Sequence, residues 1–192
     1  MTELPLGQRR ILIGVGGSVA AFKACDVVTE VRRRGGDVRV AMTNAATRFV
    51  TPTLLRALSG HRVAAGMWPP EEIEAEHGMS HLDLGAWAEL QCVVAASADL
   101  IARLALGLAD DAVTATALAC RAPMLVAPAM EAAMWEHEAT QANCTTLATR
   151  GVRVLGPVRG RLASGHQDTG RMVEPVTIVA AIEESLGATH GG

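Results

Sequence analysis

The sequence predicts an α/β fold: a single-domain, doubly wound, Rossmann-like (flavodoxin-like) parallel sheet with helices on both faces. The first observation is alternation, since short apolar runs are separated by segments of helical spacing, as in βαβ units. The second is that most of these runs are apolar throughout, which is typical of strands buried on both faces. The 192 residues fit one domain over 1–192, with its core at 10–186.

The predicted elements follow one another in order along the chain. Apolar runs such as RILIGV and LQCVVAA place strands at 10–15, 37–43, 90–96, 123–127 and 152–155. Helical spacing is found at 19–34, 44–59, 98–119, 130–150 and 175–186. Gly35 and Gly36 end the first helix, Pro52 opens the second part of the next, and residues 107–110 break the third. Residues 60–80 are predicted as a loop with a short helix, and 156–172 as a Gly-rich loop.

The bulk composition excludes several classes of function. Hydrophobic residues make up 49% and charged residues 19%, which is typical of a globular chain. The net charge of −3 gives no reason to expect a nucleic-acid or anionic-membrane partner. No apolar run approaches the roughly 20 residues that cross a bilayer. The first residues lack the pattern of a signal peptide, so a cytoplasmic location is expected.

The four cysteines indicate neither a metal site nor a dithiol motif. None of Cys25, Cys92, Cys120 and Cys144 has CxxC spacing, and each lies in an apolar stretch. We therefore expect buried free thiols and no bound metal.

Several polar or glycine-rich segments follow the predicted strands directly. They occupy positions 16–18, 43–44, 96–99 and 128–131. In doubly wound sheets ligands bind beyond the carboxyl ends of the strands, where these segments converge. The sequence therefore predicts a binding site at this edge.

A glycine-rich turn joins the first strand to the first helix. Gly16 and Gly17 let backbone amides approach a phosphate, and the helix N-terminus favours its charge. Ser18 either donates to the phosphate or only caps the helix. The turn is not a dinucleotide fingerprint, because Val19 replaces the last glycine, and no Gly-Lys-Ser/Thr follows as in a Walker loop. The pattern favours a mononucleotide; the alternative is a tight turn with an ordinary cap.

Five segments, in order along the chain, resemble one known family. They are GGSVAAFK at 16–23, HLDL at 81–84, AASAD at 95–99, PAMEAAMW at 128–135 and LASGHQDTGRM at 162–172. This set resembles the homo-oligomeric flavin-containing cysteine decarboxylases. That family has a doubly wound α/β fold and forms trimers, often four in a dodecamer, with flavin mononucleotide (FMN) between subunits. The resemblance implies FMN as the cofactor, with FAD as the alternative, and a homo-oligomer that is a trimer or a dodecamer.

The resemblance also implies roles for individual residues. His81 would be the catalytic base, because histidine is readily tuned near neutral pH. The substrate-binding residues would be Glu131, Met134, Ser164 and Gly165, and 156–172 would form a mobile lid. For Met134 by itself, interface or core packing is the favoured alternative, and a Gly-rich connector by itself needs no function. The cofactor-binding residues would be Gly16, Gly17, Ser18, Thr43, Phe49, Ala96, Ser97, Ala98, Asp99 and Met130.

Two departures from the family pattern decide the predicted substrate. Glu131 replaces an Asn thought to bind the substrate carboxylate, so that either recognition is changed or the carboxylate is held elsewhere. Ser164 replaces the Cys with which the coenzyme A branch reduces an enethiol, and serine has no redox chemistry. The predicted function is therefore FMN-dependent oxidative decarboxylation of the C-terminal cysteine of a precursor peptide to an aminoenethiol, as in aminovinyl-cysteine biosynthesis.

Two alternative functions remain open at this point. The nearer one is a phosphopantothenoylcysteine decarboxylase of coenzyme A biosynthesis, against which both departures argue. The other is a non-catalytic flavin-binding or regulatory protein, which fits the departures but not the presence of His81.

Overall fold

Six parallel strands form the central sheet of the computed structural model, which describes residues 4–66 and 81–188. They are β1 (Arg10–Val15), β2 (Asp37–Met42), β3 (Val63–Ala64), β4 (Leu90–Ala96), β5 (Met124–Pro128) and β6 (Arg153–Val154). Their order across the sheet is β3-β2-β1-β4-β5-β6, with every adjacent pair parallel. This is a doubly wound arrangement, and the predicted fold class is confirmed.

The sheet is covered on both faces because its side chains alternate between two apolar clusters. Along β1, Ile11 and Ile13 join one cluster and Leu12 joins the other. The first cluster is covered by α1 (Lys23–Arg33), α2 (Pro52–Ser59) and α8 (Pro175–Ala188). The second is covered by α3 (His81–Trp87), α4 (Ala98–Leu106), α5 (Ala112–Ala119) and α7 (Glu138–Thr149), the last preceded by the short α6 (Ala132–Glu136). Within the described ranges, no helix is long and apolar enough to span a bilayer.

The helices after β4 begin where local signals in the sequence place them. The Ser97 hydroxyl accepts a hydrogen bond from the backbone N–H of Leu100 at 3.2 Å and so caps α4. The Asp111 carboxylate accepts from the backbone N–H groups of Val113 and Thr114, which closes a capping box at the start of α5. The predicted break of the third helix is confirmed, with Gly107 at φ 72° ending α4.

The segment 156–172, predicted as a loop, contains a two-stranded antiparallel ribbon. Its strands are β7 (Val158–Arg161) and β8 (Gln167–Arg171), and we call the two strands with their connecting turn the ribbon. The prediction missed these strands because they are short, exposed and rich in Gly and Arg, so that no apolar alternation marks them.

Two further boundaries differ from the prediction. The helix expected at 130–150 is divided at His137, whose backbone is extended and whose Nδ1 accepts from Ala139 N at 3.1 Å. The segment predicted as a loop at 60–80 contains β3, which pairs with β2. The remainder of that segment, including its expected short helix, lies outside the described residues.

All four cysteines are free thiols, as predicted, but only Cys92 and Cys144 are buried, while Cys25 and Cys120 are half-buried. Burial raises the pKa of Cys92 to about 12, and it also raises the pKa of Cys25, Cys120 and Cys144. In native protein at pH 8 we expect iodoacetamide to leave Cys92 unmodified until the chain unfolds. Peptide mass spectrometry with and without denaturant measures this, and equal labelling of Cys92 in both states would contradict it.

Candidate functional site

A cavity of about 250 Å³ opens at the carboxyl edge of the sheet. This edge is where the strand order reverses between β1 and β4, the usual ligand position in doubly wound sheets. The cavity is lined by Gly17, Thr43, Asn44, Ala45, Ser97, Asp99, Leu100, Arg103, Asp110 and Asp111. Four residues expected at the cofactor therefore meet here, from three different connections of the fold.

The glycine turn after β1 has room for backbone only. A Cβ built on Gly16 would overlap the carbonyl oxygen of Ala95, and one built on Gly17 would overlap the Cβ of Ala45. Because Ala45 lines the cavity with Gly17, the two connections approach each other at the cavity wall. The turn thus presents bare main chain, as phosphate recognition by backbone amides requires.

Ser18 has a buried hydroxyl without a hydrogen-bond partner in the described part of the chain. It is the N-cap of the 3₁₀ turn Val19–Phe22, yet its side chain makes no capping hydrogen bond. A buried hydroxyl left unsatisfied costs about 1–3 kcal/mol, so an acceptor supplied by a ligand would stabilise it. The ordinary-cap alternative for Ser18 is therefore not what the structure contains.

The turn after β2 brings Thr43 to the cavity and leaves Phe49 on the surface. The Thr43 hydroxyl oxygen accepts from the backbone N–H of Ala46 at 3.1 Å, so its own proton stays available for donation. Phe49 follows that turn and is 50% exposed, which is unusual for so large an apolar ring.

The connection after β4 contributes Ser97 and Asp99 to the cavity, while Ala96 and Ala98 flank Ser97 in the chain. Ser97 uses its oxygen as a cap, so its hydroxyl proton is also free to donate. The Asp99 carboxylate is mostly exposed and pairs with Nε of Arg103 at 3.3 Å.

Arg103 is a cavity residue that the sequence reading missed. Its guanidinium contacts three carboxylates, those of Asp99, Asp110 and Asp111. The one sequence feature that could have indicated it is the pair Asp110 and Asp111, which follows the break of the third predicted helix. Arg103 is thus engaged by carboxylates of the protein itself. No three His, Cys, Asp or Glu side chains of residues 4–66 and 81–188 are arranged to hold a metal ion.

Met130 lies where the ribbon meets the end of β5. Its backbone N–H donates to the carbonyl of Gly170 at 3.0 Å, and a Cβ on Gly170 would overlap the Met130 carbonyl oxygen. Met172, just after β8, accepts a hydrogen bond at its sulfur from the backbone N–H of Ala95 at 3.3 Å. These contacts fix β8 against the carboxyl edge of the sheet.

Glu131 and Ser164 form a direct contact. The backbone N–H of Ser164 donates to Oε1 of Glu131 at 3.1 Å, and its hydroxyl donates to Oε2 at 2.8 Å. Ser164 and Gly165, the latter at φ 91°, form the turn of the ribbon. Met134, on α6, is 46% exposed. Residues expected at the substrate thus lie on the two sides of the junction between α6 and the ribbon.

His81 is the first described residue after 67–80 and begins α3. Because a crossover helix runs antiparallel to the strands, its N-terminus points to the carboxyl edge of the sheet. His81 is half-buried but does not line the cavity. The structure therefore does not join His81 to the cofactor-binding residues that line the cavity.

Sequence comparison identifies the family. The family model described as Flavoprotein matches residues 2–187, and the chain belongs to this family. It is 46% identical over 176 residues to the coenzyme A biosynthesis bifunctional protein CoaBC of Escherichia coli (strain K12). That match covers 92% of this chain and 43% of CoaBC, so the chain spans less than half the length of the curated relatives it matches.

Structure comparison finds the same fold in cysteine decarboxylases. The FMN-dependent cysteine decarboxylase SpaF superposes with a TM-score of 0.80 at 32% identity, over 97% of this chain and 99% of SpaF. A cysteine-to-serine mutant of PPC decarboxylase, complexed with pantothenoylaminoethenethiol, superposes with a TM-score of 0.79 at 26% identity, over 92% and 97%. The resemblance to flavin-containing cysteine decarboxylases is confirmed.

The predicted peptide substrate is wrong. Curated relatives that are 40–46% identical to this chain are coenzyme A biosynthesis proteins, which favours the alternative function. The prediction gave two positions, 131 and 164, more weight than the whole chain. Those two residues contact each other at one corner of the site, so they count as one local change rather than two independent signs of another substrate.

Proposed function

We propose that the protein is an FMN-dependent decarboxylase of phosphopantothenoylcysteine. The observation that carries this proposal is 46% identity to CoaBC over 92% of the chain. The fold alone does not choose the substrate, because SpaF and PPC decarboxylase superpose almost equally well. A precursor peptide was expected as a partner only because of the peptide-modifying function, which is wrong, so it is not proposed here. The cytoplasmic location stays a prediction.

The site has features that suit FMN. The glycine turn and the Ser18 hydroxyl would hold its phosphate, because Gly17 leaves the main chain uncovered and the Ser18 hydroxyl has no partner in the described residues, whereas the N–H of Gly16 already donates to Val94. When bound, FMN supplies the two-electron oxidation of the substrate thiol that turns its carbon into an electron sink for loss of carbon dioxide. The surrounding wall would be Gly16, Gly17, Thr43, Phe49, Ala96, Ser97, Ala98, Asp99 and Met130.

His81 is the group proposed to take the proton of the substrate thiol. The family resemblance of the segment 81–84 supports this role; His81 begins α3 and does not line the cavity within its own protomer. Substrate would approach between α6 and the ribbon, whose segment 156–172 is the proposed lid. Glu131, Met134, Ser164 and Gly165 lie along that approach.

Mass spectrometry of the product tests the proposed function. Purified yellow protein is mixed with phosphopantothenoylcysteine and, separately, with a cysteine-ending peptide. Loss of carbon dioxide from phosphopantothenoylcysteine alone is expected, and loss from the peptide alone would overturn the proposal. A product that has also lost two hydrogens would keep phosphopantothenoylcysteine as the substrate and would mean that the enethiol is not reduced.

Ser18→Ala is expected to weaken FMN binding by about tenfold, the worth of one hydrogen bond to a charged group. The stability of the flavin-free protein should not fall, because the hydroxyl has no partner in the described structure to lose. Fluorescence titration of FMN and thermal melting measure the two effects. Ser185→Ala on α8 is the matched control, and equal FMN affinity in all three proteins would contradict the assignment of Ser18.

A homo-oligomer, with the trimer as the first expectation and a dodecamer as the second, is proposed from exposed apolar residues near the site. Val19 and Phe22 follow the glycine turn and are 58% and 56% exposed, and Leu82 follows His81 and is 62% exposed. Subunit contacts over these residues would bring His81 of one protomer near the cavity of another. Light scattering should give three or twelve times the 20.0 kDa chain mass, and a monomer would contradict this.

A further inference from the structure

The Glu131–Ser164 contact has the form of a bound carboxylate. Two donors of one residue, the N–H and the hydroxyl of Ser164, each hold one oxygen of the Glu131 carboxylate. Glu131 is the N-cap residue of α6, yet its side chain makes no capping hydrogen bond. The carboxylate is therefore committed to the ribbon, 33 residues away in sequence, and not to its own helix.

We propose that the N–H and hydroxyl of Ser164 form a carboxylate-binding site for the substrate, and that Glu131 fills this site when no substrate is bound. This inference rests on the proposed function, since phosphopantothenoylcysteine carries the same chemical group as the Glu131 side chain. Glu131 thereby acts as an internal competitor that sets substrate affinity, while Ser164 positions the carboxylate that is lost.

The charge of the ribbon suits an anionic ligand. Arg159 and Arg161 are exposed, lie two residues apart and so share one face of β7, and form no ion pair within the described residues. The acidic side chain of β8, Asp168, accepts a hydrogen bond from the neighbouring backbone N–H of Thr169. A substrate with a phosphate and a carboxylate would therefore meet two available guanidinium groups on the element that carries Ser164.

Competition between Glu131 and the substrate carboxylate determines how much the removal of Glu131 should change substrate affinity. Apparent affinity falls by the fraction of molecules in which the site is open. If Glu131 fills the site in about 70–90% of molecules, its removal tightens substrate binding by about three- to tenfold. A Glu131 that itself contacted the substrate would give the opposite sign, because its removal would then weaken binding.

The binding experiment uses the flavin-loaded protein and two unreactive probes. Phosphopantothenoylserine has a hydroxyl in place of the thiol, and phosphopantothenoylethanolamine also lacks the carboxylate. Calorimetry should show about three- to tenfold tighter binding of the serine probe to Glu131→Ala, with the ethanolamine probe unchanged. Adding Ser164→Ala to Glu131→Ala should weaken binding of the serine probe about tenfold, by loss of one charge-assisted hydrogen bond.

Trypsin reports on the contact without any substrate. Cleavage after Arg159 and Arg161 should be faster in Glu131→Ala than in the wild type, because the turn of the ribbon is no longer held. Glu136→Ala is the matched control, since Glu136 is exposed on the same helix and forms no hydrogen bond with the ribbon. Unchanged cleavage in Glu131→Ala would overturn the role of Glu131.

The outcomes separate this inference from the proposed function. Turnover of phosphopantothenoylcysteine with equal or weaker serine-probe binding in Glu131→Ala would overturn the carboxylate site alone. Tighter probe binding without any turnover would overturn the function alone. Failure of both probes to bind would overturn both.

Discussion

Replacing His81 with asparagine is expected to lower the rate of phosphopantothenoylcysteine decarboxylation by at least about a hundredfold, the usual worth of a positioned general base. Asparagine keeps the size and polarity of the side chain but cannot take a proton at neutral pH. Flavin content should stay the same, because His81 does not line the cavity. Steady-state kinetics and the visible spectrum of the purified variant measure the two quantities.

A matched histidine elsewhere provides the control for His81. His137→Asn changes an exposed residue that only caps α7, and asparagine can also cap, so its activity should equal that of the wild type. If His81→Asn retained full activity, the base would have to be another group. If it lost flavin and activity together, His81 would support the fold or the subunit contact instead of the chemistry.

Gly17→Ala is expected to remove most of the flavin from the purified protein. The added Cβ would overlap the Cβ of Ala45 across the cavity wall, so the turns after β1 and β2 must separate and the phosphate donors lose their positions. Such overpacking also lowers the free energy of unfolding by about 1–3 kcal/mol. Flavin absorbance per mole of protein and thermal melting measure both effects.

Gly187→Ala is the matched control for Gly17→Ala. A Cβ at Gly187, within α8, meets no atom within 4 Å among those described, so flavin content should not change. Circular dichroism distinguishes a folded Gly17→Ala protein without flavin from an unfolded one. A folded variant with full flavin content would mean that the phosphate binds away from this turn.

The sheet and its binding edge could be predicted from the sequence because both depend on local signals. Continuous apolar runs such as 90–96 can be buried only as inner strands, and the polar segments that follow such runs must meet at one edge. The caps of α4 and α5 were likewise present in the sequence, as Ser97 and Asp111. Each of these signals lies within a stretch of at most seven residues.

The ribbon and the contacts of the site could not be predicted in this way. The meeting of Ser164 with Glu131 depends on where β8 docks, and β8 is held at the end of β5 by the hydrogen bond from Met130 to Gly170, which no local pattern marks. The contacts of Arg103 with Asp110 and Asp111 required the path of the chain after the helix break. The substrate prediction was wrong because it treated Glu131 and Ser164 as two independent signs, although the two residues contact each other.

The contact between Glu131 and Ser164 also constrains how this site can change over evolutionary time. A substitution at Glu131 removes both hydrogen bonds, whereas one at Ser164 removes only the hydrogen bond of the hydroxyl, because the backbone N–H of residue 164 remains. The effect of a change at either position therefore depends on which residue occupies the other. A mutational path that changes Glu131 first passes through an intermediate in which the turn of the ribbon has lost its tether, whereas a path that changes Ser164 first keeps one of the two hydrogen bonds.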